Sequence, residues 1–186
     1  PRAWQHELDP EPVTPLRTAL MALGFGHVEI GTVTALKQPG NEKPRLHRLP
    51  EYEALINSMG FNNEGAEAVA KTLARMPRAG QRAIPLGVNI GKSRSVSVEN
   101  AVPDYLASFN ELCDFADYVA VNVSSPNTPD LRKLQNDKYL PMLLGELSAA
   151  NDARAKKLGQ PRKPLLLKIS PDESFRALDT IVGHVL

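Results

Sequence analysis

Apolar residues recur along this chain in two rhythms. Short, β-branched runs alternate with longer stretches in which every third or fourth residue is apolar. The runs are Val28 to Val33, Ile84 to Ile90 (closed by Gly91), residues 118–123 and Pro164 to Ile169. All four read as strands, and the β-branched apolar run at 118–123 predicts a buried one. Between them the spacing is helical. Ala66, Val69, Ala70, Leu73 and Ala74 fall on one face of a helix opened by Asn63. Leu106, Phe109, Leu112 and Cys113 line a second helix, from about Pro103 to Ala116. Leu140, Leu143, Leu144 and Leu147 form the stripe of a third, from about Asp137 to Lys157, and Phe175, Leu178 and Val182 mark a fourth.

The rest of the chain is less regular. Residues 1–14 hold three prolines and no period, so the domain is expected to occupy 15–186. Thr14-Pro15 pairs a capping hydroxyl with a proline at the first helical position, which predicts a short helix to about Leu23. From Thr34 to about Pro50 no period is visible, which predicts a long loop. Residues 51–58 read as a helical turn and 57–63 as a glycine-containing bend. Strands joined by connections of crossover length demand a parallel sheet with right-handed connections. The class is therefore α/β. Periodicity alone leaves an open doubly wound sheet and part of a (β/α)8 barrel both standing.

Charge and composition mainly exclude. The 186 residues carry 22 Lys and Arg against 21 Asp and Glu. No strong field favours nucleic acid, and the basic run from Arg154 to Lys163 reads as a solvated helix end and loop. One cysteine, Cys113, excludes an internal disulfide. The four histidines (His6, His27, His47, His184) show no metal-ligand spacing, so no metal is expected. No apolar run reaches the length of a membrane span, and no leader pattern is visible.

Candidate chemistry gathers where the third strand ends. Asn122, Ser124, Ser125 and Asn127 put amides and hydroxyls at a C-terminal strand tip, where α/β sheets and barrels place their sites. A capped turn uses the same residue types, but this cluster is denser in side-chain donors than a turn needs. Lys168 follows three leucines, so it must face a polar ligand or reach solvent from the strand end. Gly87-Val-Asn-Ile-Gly-Lys-Ser93 approaches a phosphate-binding loop. Its glycines are one residue too close to wrap a phosphate, and that reading is rejected.

The segment Asn122-Val-Ser-Ser-Pro-Asn-Thr-Pro129 resembles the active-site segment of the dihydroorotate dehydrogenases. Ser125 stands where class 1 enzymes carry cysteine, so the resemblance is to class 2, the quinone-dependent branch. Glu29-Ile-Gly-Thr-Val-Thr34, followed by Gln38-Pro-Gly-Asn and Lys43-Pro-Arg, is similar to the family's second-strand motif. Gly87–Ser93 is similar to its third-strand motif, and Asn57–Asn63 to its substrate segment, with Ser58 where the family usually has arginine. The motifs run in family order over roughly residues 19–186.

The resemblance implies a (β/α)8 TIM barrel, with this chain supplying about strands two to five. It implies oxidation of dihydroorotate to orotate in pyrimidine (UMP) biosynthesis, with FMN as hydride acceptor and a quinone as final acceptor. Ser125 would be the catalytic base. Asn57, Ser58, Met59, Gly60, Phe61, Asn122 and Asn127 would bind substrate, and Thr32, Asn89, Asn122 and Lys168 would bind FMN. Residues 130–137 would form a lid. The family's first strand, last three strands and membrane-contacting N-terminal helices find no match. The chain is therefore expected to be an incomplete copy that exposes two strand edges, binds FMN weakly and is inactive alone. The whole protein would sit peripherally on the cytoplasmic side of a bacterial inner membrane, or on a mitochondrial one. Two other readings remain. One is another FMN barrel, class 1 or a dihydrouridine synthase, against which Ser125 and the balanced charge argue. The other is a non-catalytic half barrel.

Overall fold

The computed structural model describes residues 19–20, 22–128, 131–135 and 138–185. The expected Thr14-Pro15 helix start and the irregular segment 1–14 lie outside them, as do residue 129 and residues 130, 136 and 137 of the expected lid. In chain order the elements are β1 (Val28–Val33), β2 (Leu46–Leu49), β3 (Ala54–Asn57), α1 (Ala66–Leu73), β4 (Leu86–Ile90) and α2 (Ala101–Leu112). Then come β5 (Tyr118–Asn122), α3 (Leu140–Leu158), β6 (Leu165–Lys168) and α4 (Phe175–Val185).

β1, β4, β5 and β6 form one parallel sheet, in that order. The order decides between the two architectures. A doubly wound sheet reverses direction at a switch point, whereas here each new strand adds on the same side of the last. That is the winding of a barrel.

Pleating divides the sheet into two unlike faces. Val88 pairs with Val119 and Ile90 with Val121, so these apolar side chains share a face. They pack with Leu73 of α1, Phe109 and Leu112 of α2, and Leu143 and Leu147 of α3 in one core. Each such side chain contributes roughly 1.5–3 kcal/mol on burial. The opposite, concave face is polar and partly open. Asn89 pairs with Ala120, Ala120 with Leu166, and Asn122 with Lys168. Leu166 on this face is 49% exposed. The expectation of a buried strand at 118–123 holds, since β5 is buried except at Tyr118; β4 is buried throughout, whereas β1 and β6, the edges of the described sheet, are partly exposed.

β1 carries an irregularity that matters later. Ile30 pairs with Val88 and Val33 with Ile90, so three steps on β1 match two on β4. This is a bulge, and it reverses the alternation beyond it. Glu29 and Thr32 would otherwise point to opposite faces; both now reach the side chain of Asn89.

Residues 51–58 are not a helical turn. Pro50–Tyr52 form a single 3₁₀ turn, and β3 then pairs antiparallel with β2, with Leu46 opposite Asn57 and Leu49 opposite Ala54. Both strands are largely exposed, so neither shows the apolar alternation that would betray it. The expected loop 34–50 is thus partly strand. α2 begins at Ala101 rather than Pro103, because a proline in the first turn has no N–H that needs a helical partner. α3 ends at Gly159 in a left-handed C-cap.

Candidate active site

The concave face holds a continuous row of hydrogen-bonded side chains. Lys168 Nζ donates to Ser124 Oγ at 2.8 Å. Ser124 Oγ and its backbone N–H both donate to Asn122 Oδ1, at 2.9 and 3.1 Å. Asn122 Nδ2 donates to Thr32 Oγ1 at 2.9 Å, and Thr32 Oγ1 donates to Asn89 Oδ1 at 2.6 Å. Asn89 Nδ2 donates to Glu29 Oε1 at 2.9 Å, while the Tyr118 hydroxyl donates to Glu29 Oε2 at 3.1 Å. The four residues expected to bind flavin (Thr32, Asn89, Asn122 and Lys168) are therefore brought together, one from each strand of the sheet.

The packing behind the row holds it in place. Tyr105 of α2, fully buried, donates its hydroxyl to the Asn122 carbonyl at 2.6 Å and so pins the end of β5. Burial drives the Tyr105 hydroxyl well above its ordinary pKa, so it remains a donor. Burial, with the neighbouring Glu29 carboxylate, likewise pushes Tyr118 up to about 12. Gly91 follows β4 at the mouth. A Cβ there would lie 2.6 Å from Thr32 Cγ2 and 3.0 Å from the Phe61 ring, so only glycine lets both side chains close over the strand end.

Beside the row lies a cleft of about 370 Å3, lined by Phe61, Asn122, Ser124, Ser125, Arg132 and Lys168, among others. Phe61 has φ +57, in the left-handed region that non-glycine residues seldom adopt. Asn63 Nδ2 holds the Phe61 carbonyl at 2.8 Å. The segment before it is clamped by the loop 38–45. Gln38 Nε2 donates to the buried Gly60 carbonyl at 2.9 Å, and Asn41 Nδ2 to the Ser58 carbonyl at 2.8 Å. Ser125 is half-buried, and its Oγ accepts from the Asn127 amide at 3.3 Å.

The expected substrate residues divide. Phe61 and Asn122 are on the cleft wall with Ser125. Gly60 is buried behind it, and Ser58, Met59 and Asn127 are half-buried nearby in sequence. Asn57 is exposed at the end of the β2–β3 hairpin, its Oδ1 taken by the Met59 amide at 3.4 Å. Residues 131–135 form a 3₁₀ turn with Leu131 and Leu134 buried. Arg132 of this turn reaches the Ser124 carbonyl (3.3 Å) and Asp172 (3.1 Å). Gln135 donates to Glu173 at 3.0 Å. The turn is thus stapled to the loop after β6.

Sequence reasoning gave Glu29, Tyr118 and Asp172 no role, and Arg132 only a place in the lid. The first two were visible only as strand residues, and the bulge that sets their relation to Thr32 has no sequence signature beyond Gly31. Ser124 was seen as a tip residue, but not as the bridge from Lys168 to Asn122.

The donor set fits a planar heterocycle with alternating N–H and C=O groups. Within the row, Asn89 and Asn122 each commit one of two Nδ2 hydrogens, and Lys168 commits one of three. Among the described residues, no cluster of His, Cys, Asp and Glu is suited to a metal ion.

The family model for dihydroorotate dehydrogenase matches residues 14–185. A dihydroorotate dehydrogenase (quinone) of Chloroflexus aurantiacus is 52% identical over 88% of this chain and 44% of its own length. One of Anaeromyxobacter dehalogenans is 52% identical over 88% and 43%, and one of Leifsonia xyli 56% over 82% and 42%. The chain thus spans under half the length of the curated relatives it matches. The crystal structure of DHODH in complex with ferulenol from Eimeria tenella superposes with TM-score 0.78 at 34% identity, covering 88% of this chain and 47% of that one. With family match, barrel winding and polar mouth in agreement, the chain belongs to the dihydroorotate dehydrogenase family.

Proposed function

We propose that this chain carries the substrate- and flavin-facing part of a class 2 enzyme that oxidises dihydroorotate to orotate in pyrimidine biosynthesis. A quinone takes the two electrons in the end. The observation that carries this reading is the row Lys168–Ser124–Asn122–Thr32–Asn89, with Ser125 in the adjoining cleft. The quinone named for the relatives, together with serine at position 125, favours class 2 over class 1.

Thr32, Asn89, Asn122 and Lys168 would hold FMN. When bound, FMN supplies the hydride acceptor. Amides suit an uncharged ring edge because each offers both a donor and an acceptor. Lys168 adds a fixed positive charge at one end. Asn122 and Asn127 would orient the pyrimidine, with Phe61 as wall and residues 57–60 behind it.

Ser125 Oγ is the base for the C5 proton of dihydroorotate. Serine is a weak base at neutral pH. Its effectiveness rests on placement against the C–H bond and on passing the proton onward. The 131–135 turn, stapled over the cleft by Arg132 and Asp172, excludes water from that transfer. Delivery of electrons to a quinone places the working protein peripherally on a membrane, on the cytoplasmic face in a bacterium. No helix among the described residues is long and apolar enough to cross one.

The test is a chimera in which this chain replaces the matching segment of the Chloroflexus aurantiacus relative, giving the site a full-length frame. Orotate formation with a soluble quinone is expected, and Ser125→Ala should lower it by about a hundredfold or more while flavin content per protein stays unchanged. Near-normal turnover in Ser125→Ala would refute the assignment.

A further inference from the structure

The polar row has a direction. The Lys168 ammonium can only donate, and an ionised carboxylate such as that of Glu29 can only accept. Between them stand Ser124, Asn122, Thr32 and Asn89, each able to do both. Every link runs the same way, from Lys168 towards Glu29. The orientation of Asn89 follows from Glu29, and that of Asn122 from the Ser124 N–H on one side and, through Thr32, from Glu29 on the other. Flipping Asn89 would set its carbonyl against the Glu29 carboxylate. Flipping Asn122 would set its amide nitrogen against the Ser124 N–H, which now donates to Oδ1. Each flip replaces an attractive contact by two like partners.

The orientation matters because an asparagine at a ligand edge can present either N–H or C=O. Here the choice is made by a residue that need not touch the ligand. We propose that Glu29 is a positioning residue: it sets the donor direction of the row and thereby fixes which atoms Asn89 and Asn122 offer to the ligand. Its use at a flavin edge rests on the functional reading above.

Glu29 is itself held. Tyr118 donates to its second oxygen, and the Tyr118 ring lies over Gly87, where an added Cβ would fall 2.1 Å from Cζ. The bulge completes the device, since without its extra residue Thr32 would leave the row and the link between the asparagines would be lost.

The test is side-chain amide NMR on the 186-residue chain. Glu29→Gln keeps size and one acceptor but adds a donor, so that end of the row no longer dictates direction. In the wild type, the carboxamide hydrogens of Asn89 and Asn122 should exchange roughly tenfold more slowly than those of free asparagine, as hydrogen bonding to a charge-terminated row implies. In Glu29→Gln that protection should fall at both, with the backbone spectrum unchanged. In Tyr118→Phe it should persist at Asn122. Loss confined to Asn89 would reduce Glu29 to a local contact and overturn the proposal. So would unprotected amides in the wild type, a result that needs no variant to fold.

FMN fluorescence titration on the full-length chimera described above, with and without Glu29→Gln, separates the two readings. Weaker binding by about tenfold in Glu29→Gln supports both. Equal binding with both amides deprotected overturns the ligand-edge role of Glu29. If the wild-type chimera binds no FMN while both amides of the 186-residue chain still lose protection in Glu29→Gln, the direction-setting role stands and the flavin reading falls.

Discussion

The bulge in β1 offers a sharp perturbation, because it depends on one glycine. Gly31 has φ +121, a conformation L-residues rarely adopt. A Cβ added there would sit 2.5 Å from the Asn89 carbonyl oxygen, 3.0 Å from the Val33 nitrogen and 3.1 Å from Asn89 Cβ. Two of the three neighbours are backbone atoms, and β1 is tied to β4 on both sides of the bulge. They cannot turn aside as a side chain would. Gly31→Ala therefore combines backbone strain, about 1–3 kcal/mol, with overpacking, again about 1–3 kcal/mol. The sum, roughly 2–6 kcal/mol, is a large part of the 5–15 kcal/mol typical of a folded domain. Relief requires lifting β1 from β4, which withdraws Thr32 from both asparagines. Urea unfolding followed by circular dichroism is the assay. With a denaturant slope of about 1–3 kcal/mol/M, a loss near 3 kcal/mol moves the midpoint by about 1–3 M. A shift under about 0.3 M would mean that the register argument is wrong, since the strand would then tolerate a side chain where the structure leaves no room.

Four further outcomes are expected. Gly145→Ala, inside α3 with open space around it, should stabilise by about 0.5–1 kcal/mol in the same assay, and a loss would contradict the exposed helical placement. In the full-length chimera, Lys168→Met should weaken FMN binding roughly tenfold by fluorescence titration with little change in unfolding midpoint, because the lysine is exposed but donates to Ser124; unchanged affinity would remove it from the site. Burial raises the Asp117 pKa, but the amides of Leu86 and Gly80 and the Arg82 guanidinium outweigh it and hold the carboxyl below its ordinary value. Its stabilisation is therefore complete above the ordinary aspartate pKa and lost as pH falls through the depressed one. Asp117→Asn should cost about 1–3 kcal/mol at neutral pH, with the gap closing in acid; a gap independent of pH would exclude the carboxylate as its source. Asp172→Asn should speed tryptic cleavage at Arg132 and Lys133 by no more than several-fold, since an exposed ion pair contributes about 0–1 kcal/mol; unchanged cleavage would deny Asp172 a part in holding the turn.

The sequence made the parallel sheet legible because its strands are read locally. Runs such as Leu-Gly-Val-Asn-Ile and Tyr-Val-Ala-Val-Asn leave little choice of element, and helical stripes between them set the connections. The hairpin was hidden for the opposite reason. Leu55 and Ile56 are exposed, so β3 exists by pairing with β2 and not by burying a face. The asparagine, serine and lysine residues of the site were legible through motif resemblance and strand-tip position. Glu29 was not, because Asn89 lies sixty residues away in sequence and the bulge that turns Thr32 to the same side has no period. The clamp on residues 58–60 was invisible too. It is built from side chains of Gln38 and Asn41 reaching backbone carbonyls, a pattern with no period.

The two faces of the sheet divide the work physically. On the convex face Val88, Ile90, Val119 and Val121 are fully buried, so the positions of the strands are set by apolar packing that is indifferent to ligand. The polar face can then be organised for direction instead of stability. Asn89 and Asn122 are only 4% exposed, so each carboxamide takes protein partners for its oxygen and for one N–H. The partnering chosen runs one way between opposite charges, leaving one hydrogen on each amide uncommitted. A polar face whose groups paired off locally would be as well satisfied but would commit neither amide to an orientation. The row therefore makes sense as preparation for a ligand whose own donors and acceptors have a fixed order.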